Sequence, residues 1–328
     1  MKSFLIKLTV YSLAIYLINL VIGLGFKALG PKYSDAAYGQ VKWENFRSLP
    51  ADSLDVLFLG SSHFLSGIDP AVIDSVSGMT SYNMARVGLR PASAYVLLNE
   101  VIEKQHPKVV VLDIFYRTFT GAGYNHLYDF GYVEYDQSKV AFALDNFTVA
   151  ENARLFFPTY VYRSHFPKLR PLLGLRTKKD NWEELHYKGY VKHPEIIEVS
   201  DLEQNEFMNY HFDKDQIDPK NLVYLDKLVK LCAKNDIKMI WVSTPLPEIC
   251  LESIQNQSDI DAYFQDLADK YDVPYLNYNT NQLRQKVSFS DSSDYSDDDH
   301  LNVTGAEKIS QDIAYRILHK DYMLAAGE

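Results

Sequence analysis

The sequence predicts an α/β fold in three layers, with a parallel β-sheet covered by helices on both faces. Short apolar runs of strand type alternate along the chain with longer segments whose apolar residues recur at helical spacing. One run, from Val109 to Leu112, is apolar throughout, which is typical of a strand buried on both faces. The 328 residues are 47% hydrophobic and include only 15 Gly and 13 Pro, so the chain can bury a large core.

The individual elements follow from local patterns. The first strand ends at Gly60, and Gly88 and Pro91 mark the turn before the first helix of regular spacing. The predicted strands are residues 54–59, 81–85, 109–112, 238–243 and 274–278, and the predicted helices are residues 92–102, 220–234, 259–271 and 303–318.

The N-terminal segment predicts a helix that crosses a membrane. Residues 8–26 are uncharged and lie between Lys7 and Lys27, and as a helix they would span about 28 Å, close to the hydrocarbon thickness of a bilayer. A cleaved signal peptide is the alternative, but the run is long and contains polar residues, which favours an uncleaved anchor over residues 1–30. The short tail before the span predicts a cytoplasmic N-terminus, with the rest of the chain outside the membrane.

Charge, aromatic content and cysteine spacing limit the partners and cross-links. A net charge of −10 without a basic stripe argues against binding to nucleic acid. The 24 Tyr and 17 Phe fit either a packed core or a cleft that stacks on sugars, and composition does not separate the two. Cys232 and Cys250 are expected at opposite ends of one strand, roughly 20 Å apart. Unpaired thiols are therefore predicted.

The chain divides into a core and an insertion. Residues 31–53 are polar and mixed, and they are predicted to be a linker that leads away from the anchor. The α/β pattern runs over residues 54–117, gives way to a Tyr-rich region with weak helical periodicity over residues 118–217, and resumes over residues 218–328. The sequence therefore predicts a mostly helical insertion in one α/β core.

The stretch Gly60-Ser61-Ser62-His63 directly follows the first predicted strand. In a parallel α/β sheet the carboxyl ends of the strands border the ligand crevice, so a serine here is a candidate nucleophile. An ordinary strand-to-loop turn is the alternative. His63 is adjacent to the candidate nucleophile, which makes it a poor general base, and a structural or substrate-facing role is expected for it.

A second candidate group, from Asp297 to Gly305, lies in the loop before the last helix, at the same predicted edge of the sheet. A histidine can take the proton of a serine, and a carboxylate behind the histidine fixes its tautomer. A solvated acidic loop with a surface or capping histidine is one alternative. A calcium loop is another, but residues 291–300 lack the Gly and Glu of that pattern, so no metal is expected.

Together these motifs resemble the SGNH branch of the GDSL-type serine hydrolases. The resemblance is strongest to membrane-anchored cell-surface members related to alginate O-acetylation proteins and to teichoic-acid D-alanyl transfer proteins. The stretch from Gly60 to His63 is similar to the first family block with Ser in place of the usual Asp, which implies that Ser62 is the nucleophile. Asp297 and His300 match the Asp-x-x-His of the last block, which implies a Ser-His-Asp triad.

The resemblance has further implications for the fold and the oxyanion site. The stretch from Tyr82 to Gly88 is similar to the second block, which implies that the N–H groups of Gly88 and Ser62 bind the oxyanion. A flavodoxin-like, SGNH-type core over residues 54–117 and 219–318 is implied, and no cofactor is expected.

The third family block is where this sequence departs from the family. That block is Gly-x-Asn-Asp, whose Asn side chain is an oxyanion donor, whereas the run from Leu112 to Arg117 contains no asparagine. Loss of one oxyanion donor typically costs about 2.7–4 kcal/mol of transition-state stabilisation. Tyr116 or Arg117 is the candidate replacement, and packing of both side chains in the inserted region is the alternative.

The sequence thus predicts a membrane-anchored serine esterase or O-acyltransferase that acts outside the cell membrane on a surface polysaccharide or teichoic-type polymer. The resemblance implies a multi-pass membrane acyltransferase as a partner, which favours transfer over hydrolysis. Two other hypotheses stay open. One is a catalytically silent glycan-binding or assembly subunit on the same fold, which the missing asparagine favours, and the other is a purely structural anchored protein.

Overall fold

The computed structural model describes residues 2–28, 35–120, 137–155, 157–161, 186–198, 205 and 207–320. The chain forms two compact units, one of residues 1–47 with 125–182 and one of residues 48–124 with 183–328. The second unit contains the sheet. Residues 183–217, which the sequence analysis assigns to the insertion, belong to this same unit.

The sheet has five parallel strands in the order β2-β1-β3-β6-β7, which confirms the predicted parallel α/β fold. The strand ends differ from the predicted ones by one or two residues. The strands are β1 Val56–Leu59, β2 Ser81–Asn83, β3 Val109–Asp113, β6 Lys238–Ser243 and β7 Tyr275–Asn277, and a separate antiparallel hairpin consists of β4 His186–Tyr187 and β5 Tyr190–Val191.

The centre of the sheet is buried on both faces. Every residue of β1 and β3 is buried, and the two strands pair in register from Val56 opposite Val109 to Leu59 opposite Leu112. A strand in this position can be apolar at every residue, which explains the continuous apolar runs in the sequence.

Helices cover the sheet at the predicted positions, and several begin at a proline or at a side-chain cap. Pro91 and Pro219 occupy the first turns of their helices, where a missing N–H leaves no hydrogen bond unmade. The helices of this unit are α3 Ser62–Gly67, α4 Pro70–Ser77, α5 Pro91–Ile102, α9 Pro219–Lys234, α10 Glu248–Ser253, α11 Gln257–Tyr271, α12 Asn281–Val287 and α13 Val303–His319.

The first unit is helical where the structure describes it. Its helix α1 is long and apolar enough to cross a membrane over Lys2–Gly25, with a mean hydropathy of 2.0. Asn19 of α1 hydrogen-bonds Thr159. The helices of this unit are α1 Lys2–Ala28, α2 Asp35–Arg47, α6 Gln137–Asn146, α7 Val149–Leu155 and α8 Pro158–Val161.

Two further predictions concern residues 31–53 and the two cysteines. The range 31–53, predicted as a linker, contains the 13-residue helix α2, in which Trp43 and Phe46 are buried and pack edge to face at 5.8 Å. These two aromatic residues are spaced for one face of a helix within an otherwise polar stretch. The prediction of unpaired thiols is confirmed, because Cys232 and Cys250 are both free and buried.

Candidate active site

The candidate residues lie at the carboxyl edge of the sheet. The strand order turns back between β1 and β3, and open α/β sheets bind ligands in the crevice at such a switch point. The loops after β1, β2, β3 and β6 and the loop before α13 meet at this edge. The sequence-predicted residues among them are Ser62, Gly88, Tyr116, Arg117, Asp297 and His300, and the structure adds Ser61, His63, Asn83, Asp113, Thr244 and Asp299.

The two adjacent serines have different environments. Ser61 caps helix α3, since its hydroxyl accepts from the N–H of His63 at 3.2 Å and donates to Asp113 Oδ2 at 2.5 Å. Ser61 is 2% exposed, whereas Ser62 is half-buried. Across the described residues, the Ser62 hydroxyl makes no hydrogen bond. The Ser61 hydroxyl is therefore committed to the turn, and the Ser62 hydroxyl is available to a ligand.

Asp113 ties the end of β3 to the turn after β1. Its Oδ2 also accepts from the backbone N–H of Ser61 at 2.9 Å. Gly60 permits this approach, because a Cβ atom on Gly60 would lie 2.3 Å from Asp113 Cβ. Burial raises the pKa of the Asp113 carboxyl group, against the charge of His63 and the hydrogen bonds from Ser61. Its Oδ1 is buried without a hydrogen-bond partner in the described part of the chain.

Gly88 lies in a turn beside the loop that carries Ser61 and Ser62. The turn is closed by a 3.0 Å hydrogen bond from Leu89 N to Arg86 O, and Gly88 has φ +63°, in the left-handed region that favours glycine. Arg86 N donates to Gly60 O at 2.9 Å, so the turn is joined to the residue just before the two serines. Within the described residues the Gly88 N–H has no acceptor, and its role as an oxyanion donor stays a prediction.

Asn83 holds this turn against helix α3. Its side-chain amide donates to Phe64 O at 2.7 Å and to Ile68 O at 3.0 Å, and its Oδ1 accepts from Ala85 N at 3.0 Å. The residue is fully buried. Its position within the second family block was the only sequence signal for this role.

The loop that carries His300 is fixed from its C-terminal side. Asn302 caps α13 by accepting from the N–H groups of Thr304 at 2.9 Å and Gly305 at 3.1 Å, and its amide donates to Ser293 O at 2.8 Å. A Cβ atom on Gly305 would lie 2.3 Å from Asp294 O. Asn302 and Gly305 therefore bring the loop close to the helix.

His300 lies between two carboxylates. Its Nδ1 is 2.9 Å from Asp297 Oδ1 and 2.6 Å from Asp299 Oδ1. Asp297 Oδ1 also accepts from the backbone N–H groups of His300 at 2.7 Å and Asp299 at 3.1 Å. The other ring nitrogen, Nε2, is buried and has no hydrogen-bond partner among the described residues, so no bond to Ser62 is formed. In enzymes without substrate, catalytic hydrogen bonds are often long and tighten only in the complex.

The carboxylates set the charge of this histidine. Burial lowers the pKa of His300, but the hydrogen bonds and charges of Asp297 and Asp299 outweigh it and raise the pKa to about 10. Burial likewise raises the pKa of Asp299, but the hydrogen bonds from His300 and His63 outweigh it and hold the pKa well below its usual range. At neutral pH His300 is therefore an imidazolium beside the ionised carboxylate of Asp299.

His63 is part of the same cluster. Its Nδ1 is 3.0 Å from Thr244 Oγ1 and its Nε2 is 3.2 Å from Asp299 Oδ2. The ring stacks on Phe115 with a centroid separation of 3.9 Å and lies 5.2 Å from the His300 ring. The sequence analysis missed these contacts, because Thr244 and Asp299 are about 180 and 240 residues away along the chain.

Tyr116 and Arg117, the candidate third oxyanion donors, have aromatic neighbours. Tyr116 is buried and its ring contacts those of Tyr210 at 5.3 Å and Phe212 at 6.4 Å. The Arg117 guanidinium lies over the ring of Phe207 at 5.3 Å. The role of Tyr116 or Arg117 as a third oxyanion donor stays a prediction.

Among the described residues, two overlapping sets of side chains have ligand atoms close enough to hold a metal ion. One set is His63, Asp299 and His300, and the other is Asp297 with Asp298 and Asp299; within each set the ligand atoms lie within 4.8 Å of one another. In the first set His63 hydrogen-bonds Asp299 and His300 forms an ion pair with it, so an ion would have to replace these contacts. The expectation of no metal remains a prediction.

No protein-family model and no curated protein matches the sequence. Similar solved structures include a protein described as an acylhydrolase from Bacteroides fragilis, with a TM-score of 0.42 and 13% identity over 86% of this chain and 96% of that chain. A GDSL-like lipase from Bacteroides thetaiotaomicron has a TM-score of 0.41 and 12% identity, with 87% and 98% covered. An acetyl xylan esterase, AlAXEase, has a TM-score of 0.38 and 14% identity, with 81% and 99% covered. At such TM-scores the likeness assigns no activity to this chain.

Proposed function

We propose that this protein is a membrane-anchored serine esterase or O-acyltransferase, with Ser62 as nucleophile, His300 as general base and acid, and Asp297 as the carboxylate that orients His300. The supporting observation is the arrangement of three groups at one sheet edge. Among the residues that the structure describes, the Ser62 hydroxyl has no hydrogen-bond partner, His300 Nδ1 is held by carboxylates, and His300 Nε2 is left without a partner. A neutral His300 with its proton on Nδ1 presents a lone pair on Nε2, as a general base requires.

The reaction would proceed through an acyl-enzyme. Ser62 Oγ attacks the carbonyl carbon of an ester while His300 Nε2 takes the hydroxyl proton. Collapse of the tetrahedral intermediate breaks the ester bond, and Nε2 returns the proton to the departing alcohol. Water or a sugar hydroxyl then attacks the acyl group, gives its proton to Nε2, and releases Ser62, which takes that proton back. Water gives an esterase, and a sugar hydroxyl gives a transferase.

The oxyanion would be held by backbone N–H groups. The Ser62 N–H is at the first position of α3, where a helix leaves its N–H groups without intrahelical partners. The Gly88 turn is joined to Gly60 and has its N–H uncommitted among the described residues. Tyr116 and Arg117 follow β3 at the same edge and are the candidates for a third donor.

The substrate and location rest on the family resemblance and on helix α1. An O-acylated surface polysaccharide or teichoic-type polymer is proposed as substrate, with a multi-pass membrane acyltransferase as a partner that supplies the acyl group. An apolar helix of the length of α1 would keep the site near the outer face of the cell membrane.

The test is covalent labelling of the full-length protein in detergent by a fluorophosphonate probe. We expect labelling of the wild type, loss of labelling in Ser62→Ala, and retention in Ser61→Ala, the matched control one residue away. Absence of labelling from folded wild type, or labelling that survives Ser62→Ala, would refute the proposal. Incubation of an O-acetylated glycan with and without acceptor sugars then separates released acid from transferred ester.

A catalytically silent glycan-binding or assembly subunit is the second candidate. Asp113 stands near the place where the family has its oxyanion asparagine, and this carboxyl group is committed to Ser61. This candidate predicts retention of folded protein on an immobilised glycan together with no labelling at Ser62.

A further inference from the structure

Asp299 joins two histidines. Its Oδ1 lies 2.6 Å from His300 Nδ1 and its Oδ2 lies 3.2 Å from His63 Nε2. Each carboxylate oxygen of Asp299 thus contacts a nitrogen of a different imidazole ring. The family pattern of Asp-x-x-His does not include this residue, and the sequence gives no reason to choose it among the three consecutive aspartates at 297–299.

The hydrogen-bond roles in this chain follow from what each group can do. An ionised carboxylate can only accept, so Nε2 of His63 donates to Asp299. The other ring nitrogen of His63, Nδ1, pairs with the hydroxyl of Thr244 across 3.0 Å. The His63 ring is further held by its stack on Phe115. Every group in the chain from Thr244 to His300 therefore has a defined partner.

Asp299 contacts the same ring nitrogen of His300 as Asp297, which hydrogen-bonds Nδ1 through its two oxygens at 2.9 Å and 3.0 Å. The Asp299 side chain is 11% exposed, whereas that of Asp297 is 46% exposed, so water screens the interaction of His300 with Asp297 more strongly. Asp297 Oδ1 is also shared with two backbone N–H groups. The contact to Asp299 is the shorter of the two.

We propose that His63, held by Thr244 and Phe115, positions the base His300 through the bridging carboxylate of Asp299. Asp299 and His63 are positioning residues in this proposal, which rests on the proposed function of Ser62 and His300. Asp297 remains the carboxylate that hydrogen-bonds His300 Nδ1 directly, and it also shapes the loop through its backbone hydrogen bonds.

The test compares labelling rates of full-length variants with the fluorophosphonate probe from pH 6 to pH 10.5. Asp299→Asn should lower the high-pH plateau about tenfold or more, up to the roughly 10⁴-fold seen where a triad loses its orienting carboxylate. It should also move the midpoint of the pH dependence of labelling to lower pH, because a negative charge next to His300 is removed. Asp298→Asn removes the same charge from the same loop and is the matched control. Its high-pH plateau should stay within about twofold of the wild-type plateau.

Two substitutions of His63 separate positioning from packing. His63→Phe keeps a ring to stack on Phe115 but cannot bond Thr244 or Asp299, and we expect a several-fold lower plateau. His63→Gln restores a donor toward Asp299, and we expect it to recover most of the rate. A role in packing alone would give the opposite order, with Phe tolerated and Gln not.

The outcomes distinguish this inference from the proposed function. If Ser62→Ala abolishes labelling but Asp299→Asn and His63→Phe label with the wild-type rate and midpoint, the inference is wrong and the function stands. If the wild type is not labelled, the function fails, and titration of the His300 ring by NMR decides the inference. In that case Asp299→Asn must lower the pKa of His300 more than Asp298→Asn does, and equal shifts would overturn it.

Discussion

The charge of His300 predicts a steep dependence of Ser62 reactivity on pH. Only neutral His300 can act as a base, and its pKa is raised to about 10, chiefly by Asp297 and Asp299 working against burial. At pH 7 the neutral fraction is then on the order of one in a thousand, and at pH 9 about one in ten. The labelling rate should therefore rise about 100-fold between pH 7 and pH 9. A histidine with the ordinary pKa of about 6.5 would give less than a twofold rise.

Several charged groups contribute to this midpoint. Asp113 is raised in pKa by burial and senses the charge of His300, and the pKa of His193 is lowered by burial and by the His300 charge. The titratable groups that interact electrostatically with His300 are Asp297, Asp299, His193 and Asp113, and the His63 ring lies 5.2 Å from the His300 ring.

Deprotonation of His300 lowers the stability of the fold, whereas it raises the reactivity of Ser62. The pKa of His300 is higher in the folded chain than in the unfolded chain, so its contribution to folding is fully present below about pH 6.5. That contribution is lost as the pH rises from there to about 10. Each factor of ten in the protonation equilibrium is worth about 1.4 kcal/mol. Reactivity should thus increase over a range in which stability falls.

The assay is the pseudo-first-order rate of fluorophosphonate labelling at half-unit pH steps, with Ser62→Ala as the background at each pH. Thermal unfolding at the same pH values confirms that the chain is folded and measures the loss of stability. A labelling rate that changes less than twofold between pH 7 and pH 9 in folded protein would refute the reasoning, because it would mean that His300 is already neutral at pH 7.

Three further predictions concern the turn and the anchor. Ser61→Ala should lower the free energy of unfolding by about 1–3 kcal/mol in urea titrations, because it removes a helix cap and a donor to buried Asp113; Ser62→Ala should change it by less than about 0.5 kcal/mol, and equal effects would contradict the assignment. Gly60→Ala should cost about 1–3 kcal/mol, because its Cβ would overlap Asp113; an unchanged urea midpoint would show that the turn adapts. Full-length protein should float with phosphatidylcholine vesicles in a density gradient and a variant without residues 1–30 should not, whereas flotation of both would assign membrane binding to another segment.

The strands and long helices were predictable because burial leaves a local signature. The apolar run from Val109 to Leu112 identifies a central strand, and helical spacing identifies residues 219–234 and 303–319 to within two residues. The helix over residues 35–47 was not predicted, since Trp43 and Phe46 are its buried aromatic residues and a mostly polar stretch with two such positions resembles a linker.

The candidate site was predictable only in part. Serine, histidine and aspartate residues that follow predicted strands suggest a catalytic triad. The contacts between distant segments are not visible in the sequence. Around Asp113 the sequence shows only that an expected asparagine is absent. The hydrogen bond between the Asp113 carboxyl group and Ser61 is visible only in the structure. The choice between Asp297 and Asp299 depends on how the loop turns, because all three aspartates have the same side chain and lie within one turn of each other.

Helix α13 packs against α3 and α4, the two helices that follow Ser62. The proposed nucleophile is thus made well before its proposed base, His300. Synthesis and folding run from the N-terminus, so a growing chain exposes Ser62 long before it contains His300. A nascent chain that has not yet reached residue 300 therefore lacks the proposed base of Ser62.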